Sequence, residues 1–227
     1  YYKCSVTCGT NSSSSNPIQI TLNSYLNCYC VSQPTSTSDE EIYNVTINGA
    51  STNSLYSNVN ACTTLAPGPG SILSRYSNFK TLGSLTHFAP GATIPFSIVE
   101  NECDGTPFFA FGTSIWIDYN QNGSFADPGE QVFVEGSALP GPRTVTGSFT
   151  VPASVMPGCT AMRITVADGL SGNGLTPCLS YARGETEDYL VCIDSACSGT
   201  PNIGVITAHY NSPCDSNTSI ALTVNSG

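Results

Sequence analysis

Charge is scarce in this chain. Of 227 residues only 10% are charged, and 6 Lys and Arg stand against 16 Asp and Glu, for a formal net charge of −10. Without a basic face the chain cannot displace counterions from nucleic acid, so nucleic-acid partners are excluded. The same shortage excludes docking on anionic lipid. Histidine is nearly absent too, with His87 and His209 far apart, and Cys28-Tyr29-Cys30 is too tight for a zinc knuckle. There is no G-x-S-x-G elbow, no H-E-x-x-H and no phosphate loop, so an enzyme is not expected. No apolar run is long enough to span a bilayer, and no membrane insertion is expected. Tyr1-Tyr2-Lys3-Cys4 does not have the composition of an export signal, which is expected to have been removed or to lie outside this sequence. Sustained helical periodicity is also missing.

Cysteine, by contrast, is plentiful: eleven residues. With no metal spacing to explain them, disulfides in an oxidising, extracellular or cell-surface compartment are the expected use. The odd count leaves at least one thiol free or paired outside the chain. Connectivity does not follow from spacing. Cys62 and Cys103, flanking long loops, are taken as the first bridge to test. Asp194-Ser195-Ala196 has the pattern of a short O-glycosylation motif, with Ser195 as the acceptor, although an ordinary linker would read the same way.

Short alternating runs bounded by Gly, Pro, Asn and Ser recur at residues 18–22, 43–47, 94–99, 114–119, 131–134, 145–151, 161–166 and 189–193. In the 161–166 run, Met162, Ile164 and Val166 fall on one face and Arg163 and Thr165 on the other. Such spacing predicts an all-β fold, a β-sandwich or jelly roll of two packed sheets. The ends read differently from the middle. Residues 1–26, with Tyr2-Lys3-Cys4, a serine-rich turn and then Ile18 to Leu22, resemble the last two strands of an immunoglobulin-like domain. Residues 195–227 resemble the first two strands of another. A complete central module is expected at 27–194. Open strand edges at both ends would invite pairing with neighbouring repeats of the same protein, up to a homopolymeric fibre.

Two stretches carry candidate chemistry. After the apolar Ile115-Trp116-Ile117, oxygen-bearing side chains follow at Asp118, Asn120, Asn122, Ser124, Asp127 and Glu130, with Gly123 among them. Oxygens at alternate residues around a glycine let a chain curl round a hard cation, and calcium is the expected ion. The first half matches an EF-hand loop. The twelfth position is Gly129, however, with the carboxylate one place later at Glu130, and Asp127 could close the site instead. The competing reading is an Asn- and Gly-rich hairpin whose side chains cap backbone amides. The second stretch, Gly184-Glu185-Thr186-Glu187-Asp188-Tyr189, offers clustered carboxylates. Structural use is expected, with Glu185 and Glu187 sharing a face and pairing with Arg163 or Arg183, or joining a cation site. His87, between Leu85 and Phe88, is expected to be a structural histidine. Asp39-Glu40-Glu41 is expected to be a solvated strand start.

Seven markers in order resemble the GEVED domain, a β-sandwich module of large secreted and cell-surface proteins found especially in Bacteroidetes. They are Cys28-Tyr29-Cys30, residues 39–45, residues 75–79, Trp116-Ile117-Asp118-Tyr119-Asn120, residues 149–152, Met162-Arg163-Ile164 and residues 184–189. Thr186 stands where the motif that names the family has Val. The resemblance implies immunoglobulin-like neighbours, type IX secretion and a non-catalytic structural or adhesive role. The alternative is a carbohydrate-binding accessory module for a surface glycan or a host or substratum ligand. Tyr25, Tyr29, Tyr43, Tyr56, Tyr76 and Tyr119 would be available as its aromatic platform.

Overall fold

Alternation of apolar and polar residues along the runs above builds two sheets that share one apolar layer. The computed structural model describes residues 3–19, 24–38, 40–52, 65–102 and 108–195. They belong to one unit, Tyr1–Ser195, and the second unit, Ala196–Gly227, lies outside the described residues. In chain order the strands are β1 (Ser5–Cys8), β2 (Asn11–Ser14), β3 (Gln33–Pro34), β4 (Glu40–Ile47), β5 (Ala50–Ser51), β6 (Tyr76–Asn78), β7 (Ser84–Phe88) and β8 (Thr93–Glu102). There follow β9 (Ala110–Ile117), β10 (Gln131–Val134), β11 (Leu139–Pro140), β12 (Arg143–Thr150), β13 (Gly158–Asp168), β14 (Ser180–Tyr181) and β15 (Gly184–Ile193). The fold is all-β, as expected. Among the described residues no helix is long and apolar enough to cross a membrane.

The larger sheet runs β10-β9-β13-β15-β6, with β11 beside β9 and β7 beside β15. The smaller runs β12-β8-β4-β5. Inward residues of both sheets form the main core: Ile42, Val45 and Ile47 of β4, Ile94, Phe96 and Ile98 of β8, and Val145 and Phe149 of β12 face Ile115, Ile117, Met162, Ile164, Val166, Tyr189 and Val191. Ile42 and Val45 both point inward despite their odd spacing because the β4–β8 register shifts between Ile42 and Asn44. Phe149 receives Phe88 edge-on, with ring centroids 5.6 Å apart.

The larger sheet is covered on its other face as well. There Trp116, Ala161 and Ala167 pack with Phe125, Leu175 and Tyr181 in a second, smaller cluster. Residues 24–34 lie over this face, and a Cys30–Cys178 disulfide ties them down across a sequence separation of 148. A second disulfide, Cys159–Cys192, joins directly opposed residues of β13 and β15. With both faces covered, β13 and β15 are buried almost throughout, including their polar residues.

At the other end of the unit, β1 and β2 form a tight antiparallel hairpin, exposed throughout. The serine-rich segment expected to be a turn is thus a strand. Gly9, at φ 63°, provides the two-residue reversal from Cys8 to Asn11 instead. Cys4, Cys8 and Cys28 are free and exposed. The proposed Cys62–Cys103 bridge lies outside the described residues.

Candidate functional site

Strands β9 and β10 pair antiparallel with Gln131 opposite Trp116, so residues 118–130 form the loop at their shared end. Its base is closed by backbone bonds: Ile117 N–H donates to the Glu130 carbonyl at 2.8 Å and Asp118 N–H to the Ala161 carbonyl at 3.2 Å. The Thr160 hydroxyl donates to the Asp118 carbonyl at 2.6 Å. Gly123 sits at φ 83°, and a β-carbon there would lie 3.2 Å from Cys28 Cβ and 3.3 Å from the Tyr25 carbonyl. Glycine is required here both for the left-handed turn and for the close approach of residues 25–28.

All six residues expected as ligands belong to one hydrogen-bond network. Asp118 is fully buried; its Oδ1 accepts from Asn122 N–H at 3.2 Å, and its Oδ2 from Gly123 N–H at 2.9 Å and the Tyr29 hydroxyl at 2.7 Å. Asp127 Oδ2 accepts from the side-chain amides of Asn120 at 3.1 Å and Asn122 at 2.7 Å. Glu130 takes the Asn120 N–H on Oε1 and the Asp127 N–H on Oε2. Ser124 enters through its N–H, which donates to Asn122 Oδ1, while its hydroxyl accepts from Ala126.

The electrostatics of this loop are one-sided. Among the described residues, no Lys or Arg pairs with Asp118, Asp127 or Glu130. The two amides hold the Asp127 carboxyl below its ordinary value. Glu130, 2% exposed, is pushed up to about 7, chiefly by burial. Among the described residues no three His, Cys, Asp or Glu side chains gather closely enough to hold a metal by themselves. Any cation would therefore draw on the amide and carbonyl oxygens as well. The donor set of carboxylate, amide and hydroxyl oxygen fits a hard cation. Asn120 and Asn122, whose –NH2 groups now meet Asp127, would turn their oxygens inward to complete it.

The Gly184–Tyr189 run does something different. Gly184, at φ 115°, opens β15 where a β-carbon would lie 2.1 Å from the Val166 carbonyl. Glu185, Thr186, Glu187 and Asp188 are all buried. The expected pairing of Glu185 and Glu187 with Arg163 or Arg183 needs correction. Arg163 lies directly opposite Asp188, on the outer face of the sheet, and binds it bidentately at 2.7 Å through Nε and through the second guanidinium nitrogen. Glu185 and Glu187 point to the opposite face, where Glu185 accepts from Ser77 and from Ile42 N–H, and Glu187 from the Tyr189 hydroxyl. Arg183 stands 3.9 Å from Asp168. Parity decides this: in a strand, residue 188 shares a face with 186 and not with 185 or 187.

Asp188 also receives Lys80 at 3.0 Å and the Tyr76 hydroxyl at 2.7 Å. Burial alone would raise its carboxyl. The charges and hydrogen bonds of Arg163, with Lys80 and Tyr76, outweigh that and hold it at about 2. Arg163 further donates to the Cys30 and Pro177 carbonyls and lies over the Phe125 ring at 4.9 Å. Tyr29 stacks on Phe125 with centroids 4.5 Å apart. Tyr29 also has Lys80 Nζ 5.5 Å from its ring centroid and so joins the carboxylate loop to the Asp188 cluster, a link no local motif signals. Sequence spacing could have found Arg163 with Asp188 but not Lys80 or Tyr76, which come from distant segments.

Of the other candidates, Tyr25 is half-exposed and donates to the Cys159 carbonyl, Tyr43 is exposed, Tyr119 is buried in the main core, and Tyr56 lies outside the described residues. Tyr29 and Tyr76 line one cavity. His87 is exposed and lies 3.0 Å from Asp194, so its setting is the surface and not an apolar one. Ser195 is exposed. Asp39 lies outside the described residues.

The carboxylate loop and the Gly184 run fall inside a single family match, which spans residues 112–192 and is to the GEVED domain. The chain carries a GEVED domain. The match takes in most of β9 and all of β10 to β14, with β15 to Cys192. Strands β4 to β8, which contribute to the same two sheets, precede the matched stretch. The match does not reach the immunoglobulin-like ends read from the sequence. Comparison with curated proteins finds no match. A GEVED domain together with the two disulfides found among the described residues fits a structural extracellular module.

Proposed function

We propose that this chain is a non-catalytic structural and adhesive segment of a large secreted or cell-surface bacterial protein, stiffened by calcium at residues 118–130 and joined to neighbouring repeats. One observation carries the calcium reading. Asp118, Asp127 and Glu130 share one hydrogen-bond network and have no Lys or Arg partner among the described residues. A bound divalent cation would offset that charge and lock the end of the β9–β10 hairpin. Asp118 and Glu130 would contribute from the buried base, and Asp127, Asn120, Asn122 and the Ser124 oxygen from the rim. Two or three carboxylates with neutral amides suit the weak affinity of extracellular sites.

The test is a thermal melt of the chain in calcium and in chelator. At about a hundredfold excess over the dissociation constant, binding adds roughly 2.7 kcal/mol, a rise of several degrees. Asp127→Ala and Glu130→Gln should each abolish most of the rise. Asp118→Ala is less informative, because that carboxylate also holds Gly123, Asn122 and Tyr29 without any metal. If the wild type melts at the same temperature in calcium and chelator, the loop is only a capped turn.

A further inference from the structure

A cavity of about 540 Å³ lies beside the Asp188 cluster, between residues 26–33 and residues 69–80. That is the size of a small-molecule site. Tyr29 and Tyr76 line it, Lys80 lies in its wall, and Val31 and Ile72 reach it while being 72% and 39% exposed. The charges do not cancel. One buried carboxylate, Asp188, is shared by two cations, Arg163 and Lys80, at 2.7 and 3.0 Å. Arg163 is committed on its other side to the Cys30 and Pro177 carbonyls, so the surplus positive charge resides at Lys80, whose side chain is 9% exposed. Both Asp188 oxygens are already occupied and cannot neutralise it further.

We propose that this cavity binds a sugar acid, a pyranose carrying a single carboxylate. Its carboxylate meets Lys80 Nζ, its C–H face lies against the tyrosine rings, and its hydroxyls bond the Gln33 side chain that also lines the cavity. A polyanion is disfavoured by the chain's net charge of −10, whereas one carboxylate matches the single surplus charge. A neutral sugar would take water from Lys80 without supplying a counter-charge. This specifies the carbohydrate-binding alternative and does not depend on calcium in the 118–130 loop.

The test is titration of the full chain with glucuronate, N-acetylneuraminate, glucose and benzoate, followed by calorimetry or by amide chemical shifts. Saturable binding of at least one sugar acid is expected, with glucose and benzoate each weaker by about tenfold or more, the equivalent of one modest charge contact. Lys80→Met should erase the preference for the acid over glucose. Lys80 also supports Asp188, so a second variant guards against misfolding. Ile72→Glu sits at the exposed rim, should leave the melting temperature unchanged, and should weaken the sugar acid by repulsion. Equal affinity for glucose and glucuronate overturns the proposal, as does benzoate binding as well as the sugar acids, or no binding of any probe. A calcium-dependent melt would survive each of these results.

Discussion

At the scale of single residues, the fold depends on a few positions where no other side chain would serve. Asp188 is the clearest. Replacing it with Asn leaves Arg163 and Lys80 as buried charges without their shared partner, a loss of about 3–5 kcal/mol. Urea denaturation of Asp188→Asn against wild type measures it. The same carboxylate has a native pKa depressed to about 2. Its contribution is present above the unfolded value near 4 and is lost as pH falls through about 2. Stability should therefore fall along that acid limb, and the variant should lack that part of the slope. Glu130 works in the opposite sense. Its native pKa of about 7 lies above its ordinary value, so it favours the fold at low pH and loses that contribution as pH rises through about 7. In chelator the melting temperature should drop between pH 5 and 8, and Glu130→Gln should flatten that part of the drop. Gly184→Ala places a β-carbon against the Val166 carbonyl at a positive φ. Reduced yield or a loss of several kcal/mol is expected in the same denaturation assay.

At the scale of elements, β15 organises the molecule. It pairs antiparallel with β13 on one side and takes β6 and β7 in parallel on the other. Its inward residues complete the main core, and its outward residues anchor the covering segment 24–34. That cover has no regular strand of its own beyond β3, so it depends on Cys30–Cys178, on Arg163, and on Tyr29 stacking against Phe125. A bridge closing so long a loop is worth roughly 4–5 kcal/mol in the chain-entropy model. Cys30→Ser paired with Cys178→Ser should lower stability by up to that amount. It should also expose residues 24–34 to rapid amide hydrogen exchange while β13 and β15 stay protected. Equal protection of the cover in the double variant would show that its packing, not the bridge, holds it.

For the whole molecule, the stable part is the sandwich and not the hairpin that precedes it. Every residue of β1 and β2 is exposed, and their pairing is with each other. A two-stranded hairpin alone is marginal in water. Limited proteolysis should cut within residues 3–19 before it cuts within the paired strands β8, β9, β12, β13 and β15. Protection of the hairpin in dilute monomer would contradict this, whereas protection that appears only at high concentration would support pairing between copies through its open edges.

Much of the architecture was readable in advance because it rests on a period of two. Residues 43–47, 94–99, 131–134, 145–151, 161–166 and 189–193 lie within the strands or end within a residue of them. In the 114–119 run, Asp118 and Tyr119 already belong to the loop. Met162, Ile164 and Val166 face the main core as their alternation requires. The 118–130 loop was legible for the same reason, since its oxygens and Gly123 are close in sequence and a short loop must bring them together. Tertiary structure alone decided what lies over the second face of the larger sheet. Lys80, Tyr76 and Tyr29 reach the Asp118 and Asp188 carboxylates from 108, 112 and 89 residues away, and no local pattern encodes such a meeting. The serine-rich strand β2 was hidden because serine's preference for turns is overridden when a tight glycine turn presents it to a partner. Local periodicity specifies which way a side chain points; only the packed chain specifies what it meets there.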